Sequence, residues 1–411
     1  MAEKLPREIP VSKKHFSLRV IAFVVALAVG LTAIGFGVYA LVHKDPGIYT
    51  LVAYADKEVP YSGGVTAQFY FSGDDISGKV RNATDYLSRE LRQSYMRCDE
   101  YKVYSECSSI GAVNSALGED VKVDGTVYSI LQDAYAKTLE KKNFSLFAGP
   151  LYEEWERCLA YSQAEAIDAD PIFDQGNREY LEKATAMVND LSNFSLTFKD
   201  DNTIRLDISE AYAKFRSDYE VTSPVLTLNV LQTAYKTQAV VDAFAESGAY
   251  HGVIYDNQGS YAFLDPATES ELAILDAAKY SNIHCATLKA SRPCAVSLIH
   301  HFPISSDQYN PGYRFEHEGK LLLRSVHLNL SDGMPSNAFA ASAICLPDSR
   351  SIVEARYQNN ALGAYADLDS ARQASSPNTA FVSLTSQQIY AGKDIAPSLV
   401  KNSEAYTINE I

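Results

Sequence analysis

The hydropathy pattern opens with one long block. From Val20 to Val42 no residue is charged, and the block follows Lys4, Arg7, Lys13, Lys14 and Arg19 against only Glu3 and Glu8. About 20 apolar residues cross a bilayer as a helix, and a basic flank stays on the cytoplasmic side. The pattern therefore predicts a cytoplasmic tail over residues 1–19, a transmembrane helix over 20–42 and an extracytoplasmic chain beyond His43. A cleavable signal peptide is the rival reading, because Val38-Tyr39-Ala40 has the small-residue form of a cleavage site. The apolar core of such a peptide runs only about 7–15 residues, which favours the uncleaved anchor.

Beyond a stalk expected over 43–60, the periods shorten and alternate between two and 3.6 residues, and residues 61–411 read as one domain. Val65, Ala67, Phe69 and Phe71 share one face of a half-buried strand. Asp74 or Asp75 then caps a helix striped by Ile76, Val80, Ala83, Leu87 and Leu91. Further helices are predicted around Val127, Ile130, Leu131 and Ala134, around Leu181, Ala184, Val188 and Leu191, and around Leu231, Ala234, Val241 and Ala245 up to a Gly248 cap. Phe194, Leu196 and Phe198 alternate into the turn Lys199-Asp200-Asp201-Asn202, and Ile204, Leu206 and Ile208 alternate out of it, which predicts a hairpin. A second turn, Asp256-Asn257-Gln258-Gly259, joins Val253-Ile254-Tyr255 to Tyr261-Ala262-Phe263. Strands and helices mixed without regular βαβ alternation predict an α+β fold.

Charge changes the picture in one respect. Thirty-six lysines and arginines stand against 51 acidic residues, a formal net charge of −15, which excludes a general nucleic-acid binder with its basic surface. All six cysteines, Cys98, Cys107, Cys158, Cys285, Cys294 and Cys345, lie on the outer side of the expected anchor. The short-range pairs Cys98–Cys107 and Cys285–Cys294 and a set of buried thiols stand as equal readings.

Four motifs occur in order along the chain. Ser108-Ser109-Ile110-Gly111-Ala112-Val113-Asn114 comes first; Phe144-Ser145-Leu146-Phe147-Ala148-Gly149-Pro150-Leu151 with the single tryptophan, Trp155, comes second. Gly333-Met334-Pro335 and Ile344-Cys345-Leu346-Pro347-Asp348-Ser349 complete the set. Together they resemble the FAD:protein FMN transferase (ApbE-type) family, which reads S-x-I-x-x-L-N, F-D-P-T-V-G-P-L-x3-W, D-P-x-T-G-x-P and a strand into A-D-A-L-S-T. The resemblance implies an ApbE-like flavin-transferase fold behind the N-terminal helix. It also implies FAD and magnesium as cofactors and an FMN-acceptor flavoprotein in the envelope as partner. The implied reaction is transfer of FMN from FAD to a threonine of that partner, with release of AMP.

The same resemblance assigns candidate cofactor-binding residues. The family's L-D-L-G-G-I-A-K-G-Y falls on Leu228 to Thr237, with Lys236 one position off its lysine and Leu231 and Gln232 in place of both glycines. Side chains there crowd a pyrophosphate that needs close backbone approach. The N-A-G-G turn becomes Asp256-Asn257-Gln258-Gly259, contributing Asn257 and Gly259. H-I-I-D-P-x-T-G-x-P becomes Val326 to Pro335, contributing His327, Asn329 and Gly333. Ser145 and Phe147 replace an aspartate and a threonine.

Where the family's aspartate and threonine bind magnesium, the chain reads Val353-Glu354-Ala355-Arg356-Tyr357-Gln358. Glu354 falls on the aspartate if one residue is inserted before it, and Val353 does otherwise. Glu354 is the candidate metal ligand, with nothing in the threonine's place, and Arg356 is a candidate for neutralising phosphate directly. No catalytic residue is assigned. Asp168-Ala169-Asp170-Pro171 begins like a calcium loop but lacks its later ligands, and His284, Cys285, Cys294, His300 and His301 match no zinc spacing. The expected protein is a membrane-anchored, extracytoplasmic flavin-transferase relative, impaired or inactive in transfer. A non-catalytic flavin- or partner-binding module at the cell surface is the alternative.

Overall fold

The computed structural model describes residues 16–42, 44–57, 64–161, 163–265, 270–290, 293–304, 312–365, 367–401, 403 and 405–411. Chain contacts divide them into two units, one reaching to Ile48 together with Phe71–Asn82, the other made of Tyr49–Tyr70 and Ala83–Ile411. In the first unit the apolar block is helical over Phe16–Val42. Its side chains are described only within Val20–Gly37, and those are exposed. Among the described residues no helix is long and apolar enough to cross a membrane. Asp75, rather than Asp74, caps the helix Ile76–Arg97, its carboxylate accepting from the Gly78 amide at 3.0 Å.

The second unit is built on a nine-stranded sheet. Its strands are Gly47–Val52, Val65–Phe71, Gly252–Asp256, Ser260–Phe263, Cys294–His300, Phe339–Pro347, Thr379–Ser383, Gln388–Ala391 and Thr407–Glu410, and they lie side by side in chain order. The pairings from Val65 to Ala391 are antiparallel, and the last strand joins in parallel. Gly47–Val52 lies inside the expected stalk. Leu51 and Ala53 are buried there, so the segment pays into the sheet instead of spanning solvent.

The central strand Cys294–His300 is buried at every position, because both faces of the sheet are covered. Cys294, Val296 and Leu298 point into a core shared with Leu272, Ile274, Cys285 and Leu288 of a second, three-stranded sheet. The opposite face receives the helix Ile352–Leu362, which also packs on the helix Gln232–Ser247. A third layer, the helices inserted between Ile110 and Asn189 with the sheet of Asp120–Lys122, Phe194–Lys199 and Thr203–Ile208, encloses the largest apolar core. The predicted hairpin forms with Phe194 opposite Ile208, and its turn takes left-handed φ at Asp201 (64°) and Asn202 (63°). The helix Gln232–Ser247 ends at Gly248 with φ +62°, as its sequence predicts. Among the described residues no disulfide forms: Cys98 and Cys285 are buried thiols, and neither short-range pair is present. Burial pushes both thiols up to about 12, so they pack as small apolar groups.

Candidate functional site

A cleft of about 620 Å3 opens in the second unit between the start of the helix Gly149–Leu159, the turn before Gln232 and the helix Ile352–Leu362. Its first wall begins where Gly149-Pro150 starts a helix, proline occupying a first-turn position whose missing N–H costs nothing. Gly149 is required by close approach, since a Cβ there would lie 2.7 Å from the Pro224 carbonyl. One turn on, Glu153 accepts from the amides of Thr222 and Ser223 and from the Thr222 hydroxyl, so its carboxylate clasps the facing loop. Those bonds hold its pKa below the usual range against the opposing pull of burial. Asn114 ties the same wall together, donating to the carbonyls of Glu100 and Leu226 at 2.9 Å and accepting from the Leu226 amide at 2.8 Å.

Trp155 does not line the cleft. It is fully buried in the largest core, and its Nε1 donates to the Gly333 carbonyl at 2.7 Å. Gly333 has φ +71°, and a Cβ on it would fall 2.5 Å from the Thr185 hydroxyl oxygen. Two of the sequence motifs are thus joined by one hydrogen bond whose role is structural. Asn329, on the same turn, accepts from the amide and hydroxyl of Ser331. Neither Asn329 nor Gly333 lines this cleft; Asn329 lines two other hollows.

The second wall is the turn Asn229–Leu231. Leu231 is buried core, and the amides of Leu231 and Gln232 close onto the carbonyls of Leu228 and Asn229. No amide of this turn is offered to the cleft by these two residues, so a phosphate cradle of open N–H groups is not formed there. Gln232 lines the cleft and accepts from Lys236 Nζ at 2.8 Å, while that ammonium also sits 4.6 Å from the Tyr95 ring centre. Burial depresses the Lys236 pKa, with Cys98, Glu100 and Asp99 pulling the other way. Lys236 therefore stands behind the wall rather than in the cleft. Glu100, which sequence reasoning missed, does line it: its carboxylate accepts from the Leu228 amide at 2.6 Å, and burial raises its pKa to about 7. Nothing local marks Glu100, because its partner lies 128 positions away.

The floor brings together what the sequence proposed separately. Arg356, Gln258 and Val326 line both the cleft and an adjoining pocket of about 200 Å3, whose other walls include Asn257, Gly259 and His327. Gly259 has φ +89° and lies so close to the next strand that a Cβ would stand 2.0 Å from the Leu298 carbonyl oxygen. Asp256 shapes the turn, accepting from the amides of Gln258 and Ser260 at 2.9 Å and from the Thr237 hydroxyl. Arg356 is 2% exposed and donates from Nη1 to the Gln258 carbonyl at 2.8 Å and from Nε to the Val230 carbonyl at 3.4 Å. Among the described residues it makes no ion pair, and burial lowers its pKa to about 10. His327 is buried 5.3 Å from the His301 ring, and the Nδ1 atoms of both have no partner. Desolvation lowers His300 to about 4 and His301 to about 3, and drives His327 down as well with Arg356 adding to the effect, so these imidazoles are neutral at neutral pH.

No protein-family model and no curated protein matches the chain. Two solved structures resemble it over nearly their whole length. The ApbE protein of Thermotoga maritima matches at a TM-score of 0.54 and 15% identity, covering 88% of this chain and 99% of its own. The flavin transferase ApbE of Vibrio cholerae matches at 0.54 and 12%, covering 88% and 100%. This chain has the ApbE fold.

Within the ApbE fold, the residues present do not fit magnesium. Glu354 does not line the cleft: it pairs with Lys137 at 3.3 Å and accepts from Gln358 at 2.9 Å, and its side chain is 38% exposed. Glu354 and Gln358 are four apart and share a helix face, as expected, but that face looks toward Lys137. The face turned to the cleft carries Arg356 instead. No cluster of three His, Cys, Asp or Glu that could hold a metal exists among the described residues. The candidate metal ligand Glu354 is here one half of an ion pair with Lys137.

Proposed function

We propose that this chain is a membrane-anchored, extracytoplasmic protein of the ApbE fold that has lost FMN transfer and keeps its cleft as a binding site. The observation that carries this reading is Arg356 at the cleft floor. The resemblance calls for ligands to a divalent cation from the helix Ile352–Leu362, whereas the residue of that helix that lines the cleft is a guanidinium, and cation beside cation is repulsive. The closed turn at Leu231 and Gln232 supports the same conclusion, since it withholds backbone amides from a pyrophosphate. Losing one well-placed electrostatic stabiliser costs about 10²–10³ in rate, and here the ligand pair and the amide cradle are both altered.

The full chain in detergent, incubated with FAD, magnesium and a threonine-bearing flavoprotein acceptor, is expected to give no covalently fluorescent acceptor on a denaturing gel. A fluorescent band would overturn the reading. One that vanished in Glu354→Ala would return the metal role to Glu354.

The anchor rests on the uncharged run from Val20 to Val42 and its basic flank. Protease applied to intact cells is expected to release a fragment of nearly full size beginning near the stalk. Protection of the outer unit, or a mature protein starting near Leu41, would remove the anchor from the proposal.

A further inference from the structure

On the helix Gln175–Asn189, Arg178, Leu181, Glu182 and Thr185 recur at helical spacing and share one face. That face meets Pro171 and Ile172 from the loop before the helix, and Asp332 and Met334 from the turn after Asn329, around a pocket of about 470 Å3. The volume is ordinary for a small-molecule site, and the pocket shares no lining residue with the cleft. Both of its walls are fixed. Arg178 donates from Nε to the Pro171 carbonyl at 2.8 Å and from Nη2 to the Ile172 carbonyl at 2.6 Å, which ties the loop to the helix. The facing turn is held by Trp155 at the Gly333 carbonyl and by the Gly333 amide, which donates to the Asn329 carbonyl at 2.8 Å. A ligand entering here has little left to order, which favours binding.

The lining joins an apolar surface to negative charge. Pro171, Ile172, Leu181 and Met334 supply the carbon, and a methionine side chain adapts to irregular bodies. Glu182 and Asp332 supply two carboxylates, and among the described residues neither forms an ion pair, with Arg178 or otherwise. Asp332 accepts from the Met334 amide at 2.9 Å, and desolvation raises its pKa, a cost that a neighbouring cation offsets. Thr185 adds a buried hydroxyl oxygen with no partner. We propose that this pocket binds a small organic ammonium ion, its apolar body on Ile172, Leu181 and Met334 and its charge against Glu182 and Asp332. An ammonium group carries only donors, so it matches two carboxylates and the Thr185 hydroxyl at once. An anion of the same shape meets two like charges, and a bare metal ion finds too few oxygens among the apolar side chains.

The chain has four methionines, and Met334 is the one that lines the pocket, so methionine methyl resonances report on the site directly. The full chain in detergent, labelled at its methionine methyl groups, is titrated near neutral pH with phenethylamine. The Met334 signal, identified by its loss in Met334→Leu, is expected to shift saturably while that of the buried Met96 stays in place. Phenethyl alcohol, the same body without the charge, is expected to bind about tenfold more weakly, and the anion hydrocinnamate to leave Met334 unmoved. Asp332→Asn keeps an acceptor for the Met334 amide, and Glu182→Gln alters an exposed position. Each is expected to weaken phenethylamine about threefold to tenfold. A Met334 signal that does not move, an alcohol that binds as well as the amine, or full affinity with both carboxylates replaced would overturn the site. None of these results depends on FMN transfer, and a fluorescent acceptor band leaves them untouched.

Discussion

Arg324→Ala is expected to destabilise the second unit by about 3–5 kcal/mol, the cost of leaving one member of a buried ion pair alone. Arg324 lies 2.6 Å from Asp170 through Nε and 3.3 Å through Nη2, and both side chains are almost wholly buried. The pair is fully bonded: Tyr313 donates its hydroxyl to Asp170 at 2.9 Å, the Ile172 amide donates to the other oxygen at 3.0 Å, and the Arg324 guanidinium lies 5.8 Å from the Trp155 ring centre. Removal of Arg324 strands the Asp170 carboxylate in the interior and empties the space above the indole. Asp170→Asn in the same chain removes the stranded charge, so the double variant is expected to lose less than the two single losses combined. Chemical denaturation of the full chain in detergent reads this directly. A change below about 1 kcal/mol in Arg324→Ala would mean the pair is screened like a surface bridge. This pairing also accounts for Asp168-Ala169-Asp170-Pro171, whose calcium-like start serves an arginine.

Trp155→Ala is expected to cost a comparable amount, about 3–5 kcal/mol, for a large buried aromatic replaced by a methyl group. It also leaves the Gly333 carbonyl without its donor. Trp155→Phe separates the two contributions, since it fills most of the volume and still loses the hydrogen bond; its cost is expected to fall to about 1–3 kcal/mol. Because Arg324 lies over the same ring, Trp155→Ala and Arg324→Ala are expected to be non-additive. Additive losses, or a Trp155→Phe variant as unstable as Trp155→Ala, would contradict the geometry. In each case the measurement is the denaturation midpoint together with its slope, which shows whether the same surface unfolds.

Much of the scaffold was legible locally. The alternation of Phe194, Leu196, Ile204 and Leu206 places those side chains on one face whatever the rest of the molecule does, because successive strand residues point to opposite sides. The stop at Gly248 follows equally from a backbone conformation that glycine adopts freely. The short strand at Gly47–Val52 was less legible: its alternation is brief, and only pairing at the sheet edge distinguishes it from a linker.

The candidate site divides along the same line. The turn Asp256–Gly259, the altered segment Leu228–Gln232 and the basic-flanked apolar run are properties of neighbouring residues, and the sequence by itself determined them. Sequence order also determined that Glu354 and Gln358 share one helix face and that Arg356 lies on another, since a helix turns about 100° per residue. Which face meets the cleft was decided only by how the helix Ile352–Leu362 docks between the sheet and the helix Gln232–Ser247. That docking sends Glu354 to Lys137 and Arg356 to the cleft floor. The partners of Asp170, Glu100 and Trp155 lie more than a hundred positions away in the chain. Burial, charge and hydrogen bonding at such sites are set by packing between distant segments, and no local period carries that information.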